Sequence, residues 1–301
     1  MSRRWSLVEQ VAATGPATPG GWRWDERCRR AKARQENFPV ALGVLPRAIR
    51  RDLMALYGFA RLVDDLGDEA DGDRQALLRA ARAELDLVYR GVPESEVFRS
   101  LQSLVRRRSV PREPFDRLIE ANVRDQHISR YKTMSELREY CCLSANPIGR
   151  VVLHIARAAT PDRLVLSDRV CTALQLLEHL QDLAEDYGRG RIYLPAEDLA
   201  RFGIADTDLA GPVTAELRAL VSYETDGALE LLAAGADLVQ DLHGWARVAV
   251  AGYVAGGHAT AKALRRSGFD VFTAPVRPKK PVIATEFIRL SAGRARWSTT
   301  A

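Results

Sequence analysis

Apolar residues recur at intervals of three and four through most of this 301-residue chain, and nowhere in the strict alternation of a half-buried strand. Ile49, Leu53, Leu56, Ala60 and Val63 form one such stripe. Leu77, Leu78, Leu85 and Val88 form a second, closed by Gly91 and Pro93. The same periodicity predicts helices over 97–108, 113–123, 133–158, 167–187, 213–234 and 244–266. Pro111, Pro161, Pro195 and Pro212 fall between these segments, where a missing amide and a fixed φ do least harm. No Asn-Gly hairpin signal lies between apolar runs, and no internal repeat is present. The expected fold is all-α, a single-domain bundle of roughly ten helices.

Composition narrows the class without choosing a function. Hydrophobic content of 47% with 28% charged residues excludes a globally disordered chain. No stretch reaches the roughly 18 apolar residues of a membrane-spanning helix; the longest, Val248 to Gly257, is short and glycine-rich. Ser2-Arg3-Arg4 has the look of a twin-arginine signal, but Glu9, Gln10 and Pro16 break any apolar run behind it. Cys28, Cys141, Cys142 and Cys171 have no metal-ligand spacing, so a reduced, cytoplasmic chain is expected. Net charge is +5, and all but five of the 44 basic residues are Arg. Arg grips phosphate through a rigid fork of donors, so nucleic acid, an anionic membrane surface or a phosphorylated small substrate would each suit it. Genomic codon composition would give the same bias.

The two ends differ from the middle. Residues 1–24, with Trp5, Trp22 and Trp24, are rich in Gly, Ala, Thr and Pro and are expected to be loose. Residues 274–301 carry Arg277, Lys279, Lys280, Arg289, Arg294 and Arg296 and are expected to form a solvated basic tail, with anionic headgroups as an alternative partner.

Two acidic motifs carry the chemical signal. Asp64-Asp65-Leu66-Gly67-Asp68-Glu69 ends an amphipathic helix, where Asp64 and Asp68 share a face with Arg61 and Tyr57 behind them. Asp182-Leu183-Ala184-Glu185-Asp186 repeats the spacing on another helix. Glu178 and Gln175 precede it on the same side, and Leu176, Leu180, Leu183 and Tyr187 stripe the opposite one. Arg189 and Arg191 follow directly. Clustered like charges destabilise a helix unless a cation or solvent relieves them. Two carboxylate rows beside Arg suit a magnesium–diphosphate site, because magnesium takes oxygen ligands and shares its shell with substrate phosphate. An EF-hand fails because Arg79 stands where loop position 12 needs Glu. A di-iron bundle fails because neither motif has Glu-x-x-His.

At these residues the chain resembles the squalene and phytoene synthase family of head-to-head prenyl-diphosphate enzymes. The resemblance rests on Tyr57 through Asp65, Gln175 through Asp186 and Arg189-Gly190-Arg191-Ile192-Tyr193-Leu194-Pro195. Arg130-Tyr131-Lys132-Thr133 with Glu136-Leu137 and Tyr140-Cys141 lies between them, and the match runs over about residues 35–270. Glu36-Asn37-Phe38-Pro39-Val40, Ser144 through Arg150 and Leu180-Gln181-Asp182 are similar to the hydroxysqualene synthase branch of hopanoid biosynthesis; phytoene synthases typically carry Arg where Gln181 stands.

The resemblance implies an isoprenoid-synthase-type helical bundle around a central cavity. It implies magnesium-dependent ionisation of presqualene diphosphate, rearrangement, and quenching by water to hydroxysqualene. Two or three Mg2+ ions would act with the substrate diphosphate, without NAD(P)H. Metal ligands would be Asp64, Asp65, Asp68, Asp182, Glu185 and Asp186; substrate-binding residues Tyr57, Arg61, Arg189 and Arg191; catalytic residues Tyr140, Asn146, Gln181 and Glu178. The family commonly has Asn near Glu178, which would bind metal, act as base toward the quenching water, or be an exposed acid without a role. Glu69 reads as a solvated helix-end acid, and the five His as structural. The alternative enzyme is a condensing synthase that uses farnesyl diphosphate or geranylgeranyl diphosphate; the non-enzyme alternative is a helical binder of anionic lipid or nucleic acid. The implied partners are the prenyl diphosphate, a peripheral membrane contact and neighbouring pathway enzymes that would channel the substrate, with no nucleic acid.

Overall fold

The computed structural model describes residues 45–292. The segment 1–24, Cys28, the Glu36–Val40 stretch, Arg294 and Arg296 lie outside the described residues. Among those described, the β structure is one isolated parallel bridge between Arg130 and Ile192. Everything else is helix and connecting turn, so the all-α expectation holds. The contacts group into two compact units, residues up to 127 with 150–157, and residues 128–149 with 158 onward.

The first unit holds α1 (Arg47–Asp68), α2 (Arg74–Arg90), α3 (Glu96–Arg108) and α4 (Glu113–Arg124). Its core is aromatic at the centre: Phe59 of α1 meets Phe98 of α3 and Phe115 of α4 edge-to-face, at 5.6 and 5.3 Å between ring centroids. Such pairs add about 0.5–1.5 kcal/mol beyond their buried area, so three helices are pinned at one point. Leu56, Leu77, Leu85, Leu101 and Ile119 are buried around them. Asp73 caps α2 by accepting from the Ala76 amide. The far end of α2 is capped from outside, where the Gln102 amide donates to the carbonyls of Leu87, Val88 and Gly91. Leu87 also accepts from the Gly91 amide, whereas the last carbonyls of a helix otherwise lack internal partners. Asp52, fully buried on α1, accepts from both Arg107 and Arg108 at the end of α3.

The second unit is built from α5 (Met134–Ser144), the start of α6 (Asn146–Ile155), α7 (Pro161–Gln181), α8 (Leu183–Gly188), α9 (Ala196–Arg201), a 3-10 turn at Asp206–Ala210, α10 (Ala215–Gly235), α11 (Leu238–Asp241), α12 (Gly244–Arg266) and α13 (Lys280–Ser291). Helices α7 and α10 form its most extensive pairing. A side chain at Gly257 of α12 would meet Leu174 and Leu232 at 2.8 Å, so the absent Cβ lets three helices close. Gly252 and Gly256 face open space and have no such part. No helix among the described residues is long and apolar enough to cross a membrane.

Two predicted helices differ from the expectation. The run over 133–158 breaks at Ala145, because Pro147 cannot donate to the preceding turn and its ring would crowd it. The run over 167–187 breaks at Asp182, which caps α7 and opens α8. The basic tail is also not simply solvated: α13 packs on α12, burying Leu290 and Glu286, and Glu286 pairs with Lys262. Paired charge and apolar contact in the same helix turn that segment into part of the second unit.

Candidate active site: two acidic rows and an aromatic platform

The first acidic row lies in the last turn of α1. Asp64 and Asp68 are exposed, as their four-residue spacing on a solvent face requires. Asp65, one residue and about 100° further round, turns inward instead. It is 4% exposed and pairs with Arg61 at 2.7 Å. Arg61 also reaches Glu69 at 2.8 Å; Glu69 is an exposed acid at the helix end, as expected, and pairs with Arg61 there. Tyr57 is buried one turn earlier.

A residue that the sequence reading passed over orients this row. Asn122 of α4, 7% exposed, donates from Nδ2 to Asp64 Oδ1 at 3.2 Å and to the Leu118 carbonyl. Its amide presses on the backbone of α1: a Cβ at Gly67 would stand 2.3 Å from Asn122 Oδ1. Gln126 donates to the carbonyls of Gly67 and Asn122, locking the two helices together. The only signal in the sequence was a helical face carrying Asn122 and Gln126 four apart, which is common on any helix. Protein packed around Asp64 pushes its carboxyl up to about 6, with Asn122 and Arg61 pulling it back and Asp68 and Asp65 adding to the rise. The side chain nevertheless reaches water, which tempers that crowding.

The second row straddles the α7–α8 break. Asp182 and Asp186 are half-buried, Glu185 is exposed, and Glu178 is exposed one turn before. Burial pushes Asp186 up to about 6, Asp182 repels it further, and Arg191 and Arg189 oppose the rise. Asp182 is raised for the same first reason, with Glu185 adding and Arg277 and Arg189 opposing. Arg277 was read as part of a solvated tail; its effect on Asp182 brings it to this row. Arg189 pairs with Glu185 at 2.8 Å, but both side chains are more than half exposed, so the pair contributes little and separates readily. Gln181 donates from Nε2 to the Val276 carbonyl and so anchors the segment that carries Arg277.

Asn146 lies in the core of the second unit. It is 2% exposed, its Oδ1 accepts from Thr172 at 2.9 Å, and its Nδ2 contacts Cys142 Sγ at 3.5 Å. Both ends of the amide are engaged within the core, and the Thr172 bond ties the start of α6 to α7. Tyr140 is also buried, in a platform of rings: its centroid lies 5.4 Å from Tyr131, 5.8 Å from Tyr193 and 6.2 Å from His179. His179 stacks on Tyr193 at 3.8 Å.

Beside this platform is a buried acid pair that the sequence did not announce, Asp198 of α9 and Glu224 of α10. Burial, then the neighbouring Asp198, raise Glu224 to about 8, so the pair holds a proton at neutral pH. An unfolded Glu releases its proton near 4.5, well below the folded group. Between these two values the folded state binds the extra proton, so stability falls as pH rises, by about 1.4 kcal/mol per unit from this group. Urea melts across that window should show the decline, and Glu224→Gln should flatten it.

The donor set fits magnesium. It is all oxygen, burial first and neighbouring acids second hold Asp64 and Asp186 above the usual carboxylate range, and a divalent cation would favour their charged forms. Among the described residues no three His, Cys, Asp or Glu already converge as a chelate. Magnesium commonly takes one or two carboxylates and completes its shell with water and phosphate. Asp64 and Asp68 are the residues of the first unit that would ligate magnesium, and Asp182 and Asp186 those of the second.

All-helical units bearing aspartates four apart in two places, the second closed by guanidinium groups, define an isoprenoid-synthase-type protein. Within that class the chain belongs to the squalene/phytoene synthase family, whose profile matches residues 31–284. It is 35% identical over 178 residues to a hydroxysqualene synthase of Zymomonas mobilis, covering 58% of this chain and 59% of that protein. A presqualene diphosphate synthase of Rhodopseudomonas palustris is also 35% identical over 178 residues, covering 57% and 62%. The chain thus spans about three fifths of these curated relatives. The crystal structure of squalene synthase HpnC from Alicyclobacillus acidocaldarius superposes with a TM-score of 0.76 at 40% identity, over 81% of this chain and 94% of that one.

Proposed function

We propose that this protein converts presqualene diphosphate to hydroxysqualene with release of diphosphate. The observation that carries the reading is the pair of acidic rows whose aspartates Asp64 and Asp186 are raised to about 6, in a family of prenyl-diphosphate enzymes. A cation arriving with a diphosphate would offset the burial that raises these acids. Magnesium, when bound, would neutralise the charge that builds on the leaving diphosphate. Asp64 and Asp68 in the first unit, with Asn122 keeping Asp64 in place, and Asp182 and Asp186 in the second would each supply carboxylate ligands. Arg191, Arg277 and Arg189, the last released from its weak surface pair, bind phosphate oxygens.

The carbon–oxygen bond to diphosphate breaks with both electrons leaving on oxygen. The cyclopropylcarbinyl cation rearranges, and a water oxygen adds to it. The water's proton passes to Glu178, an exposed carboxylate one helical turn before Asp182. Tyr140, held rigid by its neighbouring rings, shields positive charge with its ring face. In this reading Asn146, Arg61 and Asp65, each with partners inside its own unit, act as positioning residues, and Gln181 anchors the Arg277 segment.

A condensing activity is the second reading, favoured by the equal identity to a presqualene diphosphate synthase. Incubation with magnesium and either presqualene diphosphate or farnesyl diphosphate, followed by product analysis, separates the two. Hydroxysqualene from presqualene diphosphate and no turnover of farnesyl diphosphate alone is expected. Conversion of farnesyl diphosphate by itself would replace the proposal with the condensing reading.

A further inference from the structure

His179 of α7 and Glu224 of α10 line one small cavity in the second unit, whose other walls are leucine side chains and the Tyr193 ring. Both residues are more than nine-tenths buried, at 8% and 6% exposure. His179 Nε2 and Glu224 Oε1 are each buried without a hydrogen-bond partner in the protein. An unmet buried polar atom costs about 1–3 kcal/mol, and two facing the same apolar space are rare in a folded core. Stacking at 3.8 Å and 12° on Tyr193 sets the imidazole plane, and Asp198 hydrogen-bonds the Glu224 carboxyl group.

We propose that this cavity is an internal water site, in which one water bridges His179 Nε2 and Glu224 Oε1. The space suffices for about one water, and a water needs at least two polar partners to stay. A water also fits whichever nitrogen of the imidazole carries the proton. With Nε2 bare it donates to both atoms; with Nε2 protonated it accepts from His179 and donates to Glu224. Burial lowers His179 to about 3, so the ring is neutral and repels no donor. The other charged groups that act on Glu224 are Asp198 and Glu197 at α9 and Arg138 of α5; the proton on the acid pair makes Oε1 a carbonyl-type acceptor. The bridge ties α7 to α10 through His179, one of the rings grouped around Tyr140. This inference does not depend on which prenyl diphosphate the protein uses.

A crystal structure of the full chain that resolves ordered water tests it, alongside His179→Phe, Glu224→Leu and Glu224→Gln. Density for one water within about 3 Å of both atoms is expected in the unaltered protein and in Glu224→Gln, which keeps the acceptor oxygen. It should be absent from His179→Phe and from Glu224→Leu. A dry cavity, a direct His179–Glu224 hydrogen bond, or density that survives both apolar substitutions would overturn the proposal. Denaturant melts supply the solution readout. Either apolar substitution evicts the water and strands the other partner, so the double variant should be no less stable than the worse single one. Additive losses would count against a shared water.

Discussion

Asp64→Asn is expected to reduce turnover by about 10²–10³-fold while leaving the fold intact, the scale on which removing one stabilising group from a developing charge acts. Asp64 is exposed at the end of α1, so its charge contributes little packing. An Asn there retains an oxygen for the Asn122 amide, and thermal melts should be unchanged. What disappears is an anionic oxygen for a divalent cation. Asp186→Asn should act in the same way from the second row. Asp65→Asn should behave oppositely, with reduced stability and smaller effects on rate, because that side chain faces Arg61 and not solvent. Affinity for manganese as a spectroscopic stand-in should fall with Asp64→Asn and Asp186→Asn but not with Asp65→Asn. Wild-type rates in Asp64→Asn would remove the first row from the mechanism.

The largest stability loss is expected at Asp52. Its carboxylate is fully buried and is met by Arg107 at 2.7 Å on Oδ1 and by Arg108 at 2.6 Å on Oδ2. Asp52→Ala leaves two cations facing a hole. Arg107, a third exposed, can swing to water; Arg108, at 13%, cannot without opening the end of α3. Breaking a buried pair in this way costs about 3–5 kcal/mol, a large share of the about 5–15 kcal/mol that holds a domain. Arg107→Ala should cost far less, since Arg108 still neutralises the acid. Urea denaturation read as a midpoint shift at constant slope measures both. A shift for Asp52→Ala within the range of a surface substitution, about 0.5 kcal/mol, would show that the buried pair contributes nothing net.

Local signals located most of the helices. The stripe over 244–266 coincides with α12, and 97–108 falls within one residue of α3. The break before Pro147 was readable from that proline, since its ring forbids the preceding turn whatever surrounds it. The break at Asp182 was not. Gln-Asp-Leu-Ala is acceptable helix, and the chain turns there where Gln181 meets the carbonyl of Val276, 95 residues away. The tail misreading has the same origin, because α13 is charged enough to look solvated until Lys262 is placed beside Glu286.

The site divides along the same line. Asp64, Asp68, Asp182 and Asp186 were legible because a four-residue spacing fixes a shared face in any helix. Which neighbouring acid turns inward was not legible: Asp65 differs from Asp64 only by the packing on its side of α1. Asn122, Arg277, the Asp198–Glu224 pair and the unmet His179 nitrogen came only with tertiary contacts. Periodicity and spacing are properties of one helix, so the sequence by itself determined the all-helical class, the two aspartate rows and the family. Burial, partners and protonation depend on what another segment brings within a few ångströms. That is why only the tertiary structure decided which acids face solvent, which Arg are already engaged, and where a core acid keeps its proton.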